Sequence, residues 1–163
     1  MKQVPYGVQD FVTIVEQHLY YVDKTMYIPK LEKQARNLFF IRPRRFGKSL
    51  FLSMLHAYYD CRTKDKFQQW FGNLWIGQHP TPLRGKYQVL HLDFSQVGGT
   101  IEKLEENFNF YLGTQLDGFV RDYAEYYSEE TIQQVRATKN AGGKLGLIQN
   151  EARFKSHPLR VQP

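Results

Sequence analysis

The stretch that decides the fold is FFIRPRRFGKSLF, Phe39 to Phe51. Its end, Gly47-Lys48-Ser49, matches the tail of the phosphate-binding pattern GxxxxGK[ST], but where that pattern has its first glycine this chain has Arg42. Upstream, Leu38 to Ile41 is an uninterrupted apolar run, which predicts a strand buried on both faces of a parallel sheet. Downstream, Leu50, Phe51, Met54, Leu55, Tyr58 and Tyr59 recur in pairs about one turn apart, as the broad apolar face of a helix does. Strand, turn and helix in this order aim the backbone N–H groups of the turn, and the positive end of the helix dipole, into one concavity. Such a concavity favours phosphate.

Each residue type in the second half of the loop has a task. Lys48 reaches the β- and γ-phosphates, the Ser49 hydroxyl binds Mg²⁺, and Gly47 lets the backbone approach without a Cβ in the way. The front half is stiffened by Pro43 and crowded by Arg42, Arg44 and Arg45, with Phe46 closing it. Backbone amides near the helix start do most of the oxygen-cradling, and added guanidinium groups attract a triphosphate, so the altered front half is compatible with binding. The bland alternative is a solvated basic turn that spells GKS by chance; the strand before and helix after weigh toward the phosphate site.

A chain of 163 residues is long enough for one core, as a single domain or as part of a longer protein. Eleven Tyr, twelve Phe and a 42% hydrophobic share exclude a disordered segment. Lys and Arg exceed Asp and Glu by 22 to 16, a surplus that tilts only slightly toward nucleic acid as a partner. The single Cys61 fits a reducing compartment, MKQVPYGVQD lacks a secretory apolar run, and no stretch reaches membrane-spanning length. A cytoplasmic protein without a membrane partner is expected.

Along the chain, Phe11, Ile14, Val15 and Leu19 behind Asp10 predict a first helix. Asp23 or Thr25 caps a second, carrying Ile28, Leu31 and Ala35 with Pro29 in its first turn. The stripe Phe67, Trp70, Phe71, Leu74, Trp75 reads as core on a short helix before a loop. Tyr87 to Ser95 predicts a strand with Leu90, Leu92 and Phe94 on one face and Val89, His91 and Asp93 on the other. A long helix follows from Ile101 to Tyr123, and Ser128 caps another. Leu145 to Ile148 is a weak strand candidate in a poorly defined tail, residues 141–163, behind a main domain of residues 1–140.

Four stretches, YVDKT (Tyr21 to Thr25), RPRRFGKSLFLSML (Arg42 to Leu55), FGNLWI (Phe71 to Ile76) and VLHLDFS (Val89 to Ser95), stand in the order seen in the bacterial AAA-ATPase-like family, which the chain resembles. RPRRFGKS is the most specific of them; in that family it is the phosphate loop itself. The resemblance implies an α/β, P-loop NTPase-like fold, a parallel sheet flanked by helices. It implies ATP and Mg²⁺ as ligands, held at Pro43, Arg44, Arg45, Phe46, Gly47, Lys48, Ser49 and Leu50, with Ser49 on the metal. Family members commonly continue with an acidic IDEYD-like strand, the Walker B site, and many end in a PD-(D/E)XK nuclease-like domain. Neither is readable here, so the chain resembles the N-terminal portion of such a protein, with an incomplete sheet. ATP binding is therefore expected and hydrolysis left open, with catalytic residues and oligomeric state unassigned.

Other residues carry paired readings. Asp93, near the carboxyl end of its strand, either meets Mg²⁺ through water or caps the loop that follows. By resemblance, Asp23 and Lys24 line the nucleotide pocket; on local chemistry Asp23 is a cap and Tyr21 is core. His91 shares a strand face with Asp93 but has no third ligand at readable spacing, and Cys61 has no adjacent base, so both read as packed residues. A second function class is a non-catalytic nucleic-acid-binding or regulatory module whose Arg42, Arg44 and Arg45 meet phosphate backbone.

Overall fold

The computed structural model describes residues 2–34, 37–41, 43, 46–154 and 159–162. The chain divides into two units, Met1–Lys86 and Tyr87–Pro163.

In the first unit, Asp10 takes an extended conformation and its carboxylate accepts the Thr13 amide at 2.7 Å, which starts α1, Phe11–Glu16. A 3₁₀ turn over Thr25–Tyr27 leads into α2, Ile28–Glu32, with Pro29 in the first turn where its missing N–H costs nothing. Helix α3 runs Lys48–Tyr59 and buries Phe51, Met54, Leu55, Tyr58 and Tyr59, the face its spacing predicts. Ser53 ties α3 to α1: its Oγ accepts the Phe11 amide at 3.0 Å and donates to Asp10 at 2.8 Å. Short helices α4, Phe67–Phe71, and α5, Trp75–Gln78, complete the unit. Phe71 stacks on Phe11 at 4.9 Å and meets the edge of Tyr58 at 5.5 Å, so the aromatic stripe is core as read, except that Trp75 stays partly exposed.

The expected strand Leu38–Ile41 does not form. Phe39 is 92% and Ile41 91% exposed, and of the run only Phe40 finds an aromatic partner, stacking on Phe51 at 5.2 Å. A strand exists only through its neighbours, and both strands among the described residues, β1 and β2, belong to the second unit.

There, β1, Gln88–His91, pairs in parallel with β2, Leu159–Gln162, in the register Gln88↔Leu159 to His91↔Gln162. Between them come α6, Leu104–Asp122, α7, Glu129–Ala137, and α8, Ala141–Phe154, the long crossover that parallel strands require. Ser128 caps α7 by accepting the Thr131 amide, as its position predicts. Gln88, Val89 and Leu90 are buried consecutively, so β1 lacks the two-faced alternation read from its sequence. Two tyrosines hold it: Tyr123 Oη accepts the Val89 amide at 2.9 Å, and Tyr127 Oη donates to Gln88 Oε1. The strand expected at Leu145–Ile148 is helical. Ala141, Lys144, Ile148 and Ala152 are buried at steps of three and four, the inner face of α8. Lys144, 5% exposed, sends its ammonium to Asp117 on α6, 2.6 Å from Oδ2.

The described residues therefore form a helix-rich mixed fold with one parallel strand pair, not a sheet of several strands flanked by helices. Among them no helix is long and apolar enough to cross a membrane.

At the end of α3, Asp60 is buried and accepts from the Arg62 amide and guanidinium, each at 2.9 Å, with His56 Nε2 at 3.3 Å. Burial alone would raise its pKa from 3.8; the contacts from His56 and Arg62 outweigh burial and bring it to about 2. Because the folded value lies below the unfolded one, the stability gained is complete above the unfolded value and drains away as pH falls toward the folded one. Asp60→Asn should cost about 2 kcal/mol in urea unfolding at pH 7. The gap between variant and wild type should narrow as pH drops from 4 toward 2. In the second unit, Tyr123→Phe removes the acceptor of the buried Val89 amide and should cost roughly 1–3 kcal/mol in the same measurement.

Candidate functional site

The site is built where α3 begins. Gly47 stands at φ 73°, ψ 26°, the left-handed region that a side chain resists, and turns the chain so that Lys48, Ser49 and Leu50 form the first helical turn. The first intrahelical bond runs from the Phe51 amide to the Gly47 carbonyl, 2.9 Å. Among the described residues no side chain caps this end of α3, so the amides of Lys48, Ser49 and Leu50 lack intrahelical partners at the positive end of a 12-residue helix.

Around this turn the side chains divide by exposure. Pro43, Phe46, Lys48 and Ser49 are exposed, while Leu50 is half-buried. Arg42, Arg44 and Arg45 lie outside the described residues, so the roles expected for them rest on the sequence. A second cation joins Lys48 at the helix start. A Cβ placed on Gly47 would lie 3.8 Å from Lys24 Nζ, which puts the Lys24 ammonium against the loop.

What holds Lys24 there is the rest of YVDKT. Asp23 Oδ1 accepts both the amide and the hydroxyl of Thr25, at 2.8 and 2.7 Å, and Oδ2 accepts the Trp75 amide at 2.7 Å. Thr25, fully buried, accepts the Ile76 amide at 3.1 Å. Of the two readings of this motif, Asp23 takes the capping one, and Lys24 lies beside Gly47. Tyr21 meets the edge of Phe11 at 5.3 Å, and burial, helped by the nearby Asp23, pushes its phenol well above the ordinary range.

Two cavities flank Lys24. One, about 230 Å³, is bordered by Gly47, Leu50, Phe51 and the segments Val4–Pro5 and Tyr20–Val22. The other, about 320 Å³, has Tyr27, Lys30, Leu31 and Gln34 on its wall and also touches Phe51. The sequence motifs did not point to Val4, Pro5 or Tyr20; a backbone bond from the Tyr20 amide to Gln3 O, 2.8 Å, brings the first residues alongside.

Asp93 belongs to the second unit. It is exposed, its carboxylate accepts the Ser95 amide at 3.0 Å, and hydrogen bonding with Ser95 lowers its pKa. Its amide donates to Tyr111 Oη at 3.0 Å, so the capping role read for it is met. Cys61 is buried. Among the described residues, no group of three or more His, Cys, Asp or Glu side chains is arranged to hold a metal ion.

A family model described as "Predicted AAA-ATPase" matches residues 5–157. The chain belongs to that AAA-ATPase-like family. Among curated proteins, the "Uncharacterized protein in vnfD 5'region" of Azotobacter chroococcum mcd 1 is similar to it, 51% identical over 55 residues. That match spans 33% of this chain and 11% of the relative, so the chain covers only a small part of that protein's length. No solved structure matches. Membership in the AAA-ATPase-like family fits a nucleotide as partner.

In this AAA-ATPase-like chain the turn at Gly47 has room for a methyl group but the wrong backbone for one, since the nearest atom to an added Cβ is 3.8 Å away. Gly47→Ala should therefore lose roughly 1–2 kcal/mol of stability from backbone strain alone. Gly47→Asn should lose less, since Asn tolerates the left-handed region. Denaturant unfolding of the three proteins should rank Gly above Asn above Ala.

Proposed function

We propose that this chain binds ATP through residues 43–50 and, with Mg²⁺, forms the nucleotide-binding part of an ATPase on a P-loop NTPase-like α/β fold. The observation that carries this is the uncapped start of α3 behind the left-handed Gly47, with Lys24 and Lys48 both at that end. Three outward amides and two ammonium groups answer the charge and the acceptor geometry of a triphosphate. In this assignment Lys48 holds the β- and γ-phosphates, the amides of Lys48, Ser49 and Leu50 hold phosphate oxygens, and Lys24 adds charge from the side. Pro43, Arg44, Arg45 and Phe46 form the front of the loop.

Ser49 fits a role toward Mg²⁺. Its side chain is exposed at the second position of α3, and Mg²⁺ takes few protein oxygens, keeping several waters and the phosphates as its other ligands. A cluster of carboxylates is not needed for that. The ion, when bound, neutralises charge on the phosphates. Hydrolysis also needs an acid that supports the metal and a group that orients the attacking water. Neither group is assigned among the described residues. With Cys61 as its single cysteine, the chain suits the reducing cytoplasm.

Titration of a fluorescent ATP analogue with Mg²⁺ tests the assignment. Lys48→Ala should weaken binding by about tenfold or more, the worth of a charged hydrogen-bonding partner. Equal affinity of variant and wild type would remove the nucleotide assignment. Binding of DNA with a steep salt dependence and no response to ATP would replace it with the nucleic-acid alternative.

A further inference from the structure

We propose that the cavity of about 320 Å³ bordered by α2 and by Phe51 of α3 is a regulatory site for a small aromatic carboxylate, and that this anion competes with the phosphate loop for Lys24. The binding of the carboxylate stands on this cavity alone; its effect on phosphate rests on the phosphate-loop assignment above. The body of the ligand follows from the floor. Phe40 stacks on Phe51 at 5.2 Å and 15° from parallel, and both border the cavity with Tyr27, Leu31 and Leu38. Three rings and two leucines suit a flat apolar group. Tyr27 and Leu38 are each 46% exposed, so part of this lining is apolar surface that a ligand would take out of water. At about 320 Å³ the cavity stands at the lower end of the ~300–1,000 Å³ typical of small-molecule pockets, a size for one ring and a short chain.

The charge of the ligand follows from the rim. Lys24 and Lys30 both border the cavity, and Lys30 Nζ lies over the Tyr27 ring, 5.3 Å from its centroid, which keeps a cation at the edge of the aromatic floor. Among the described residues no Asp or Glu borders it, and the acid of α2, Glu32, accepts from Tyr59 and Thr81 instead. Two ammonium groups beside an apolar floor favour an anion with an apolar body, and Gln34 on the same wall has amide hydrogens to donate to a carboxylate. Regulation follows from the one residue that the two cavities share. Lys24 borders both, and its Nζ lies 3.8 Å from where a Cβ on Gly47 would stand. Its four-carbon stem lets the ammonium turn to either side. A carboxylate that draws it toward α2 takes a cation from the Gly47 turn. Each anion therefore weakens the other, by the same factor in both directions.

The test is titration calorimetry of the 163-residue chain with 3-phenylpropanoate, with its neutral amide and with acetate, each without and with inorganic tripolyphosphate and Mg²⁺. Variants are Lys30→Gln, Tyr27→Ala, Lys24→Gln and Lys48→Ala. Tyr27 and Lys30 are exposed, so their substitution leaves the core intact, and circular dichroism checks this. The carboxylate should bind about tenfold or more tighter than the amide, which lacks the charge, and than acetate, which lacks the ring. Lys30→Gln and Tyr27→Ala should each weaken it by about fivefold and leave tripolyphosphate within about twofold. Saturating tripolyphosphate should weaken the carboxylate by about fivefold, the carboxylate should weaken tripolyphosphate equally, and Lys24→Gln should abolish this antagonism. The proposal is overturned if the amide or acetate binds as tightly as the carboxylate, or if Lys30→Gln and Tyr27→Ala leave its binding unchanged. It is overturned also if the antagonism is absent or survives Lys24→Gln, which would mark it as plain repulsion between two anions. Tripolyphosphate binding that Lys48→Ala leaves unchanged is a separate failure. It would bring down the phosphate-loop assignment and the regulatory role, while carboxylate binding with the selectivity above would still uphold the site.

Discussion

The carboxylate of Asp23 serves two stretches of chain that are far apart in sequence. One oxygen closes the turn at Thr25, through its amide and hydroxyl, while the other receives the first amide of α5 at Trp75, and Thr25 in turn receives Ile76. These are charge-assisted or buried contacts, the kind whose loss leaves donors without partners and so costs more than the bonds themselves are worth. Lys24 lies between the two residues that make them. Its backbone is fixed on both sides, and its ammonium lies beside Gly47. The surroundings of Gly47 thus depend on YVDKT, an upstream motif whose acid and hydroxyl work structurally.

Helix α3 is fixed at three levels. Gly47 sets its start, Ser53 binds it to the cap of α1 through Asp10, and Asp60 closes its end with Arg62 and His56. The buried face of Phe51, Met54, Leu55, Tyr58 and Tyr59 then leaves the first turn as the exposed part. The anion site proposed at its start needs this immobility, because amides that can drift lose the preorganisation that makes them strong.

Much of this was legible in the sequence where the cause is local. Asp10 and Ser128 are caps that bond three residues ahead, Pro29 sits where a first turn tolerates it, and the α3 face repeats at helical spacing. The failures lie where the cause is distant. Leu38–Ile41 has the composition of a central strand, but a strand needs neighbours, and an apolar run carries no information about whether they are present. Leu145–Ile148 was misread because a short apolar run fits either periodicity and Gly142, Gly143 and Gly146 argue against a helix. The wider spacing Ala141, Lys144, Ile148, Ala152 was the better signal, obscured because Lys144 does not look like a core residue until Asp117 is seen beside it. Of the proposed site, the turn at Gly47 that starts α3 could be read from the motif, while the approach of the first residues to Tyr20 could not.

The bare side chains of Phe39 and Ile41 set how the molecule behaves in solution. They place two large apolar groups immediately before a run of arginines, on a segment whose composition suits strand pairing. A net charge of +6 holds copies apart at low ionic strength, and the range of that repulsion shrinks to about 8 Å at physiological salt. At that salt, charge no longer keeps the exposed Phe39 and Ile41 away from other copies, so ionic strength bears on the chain's colloidal stability separately from the stability of its fold.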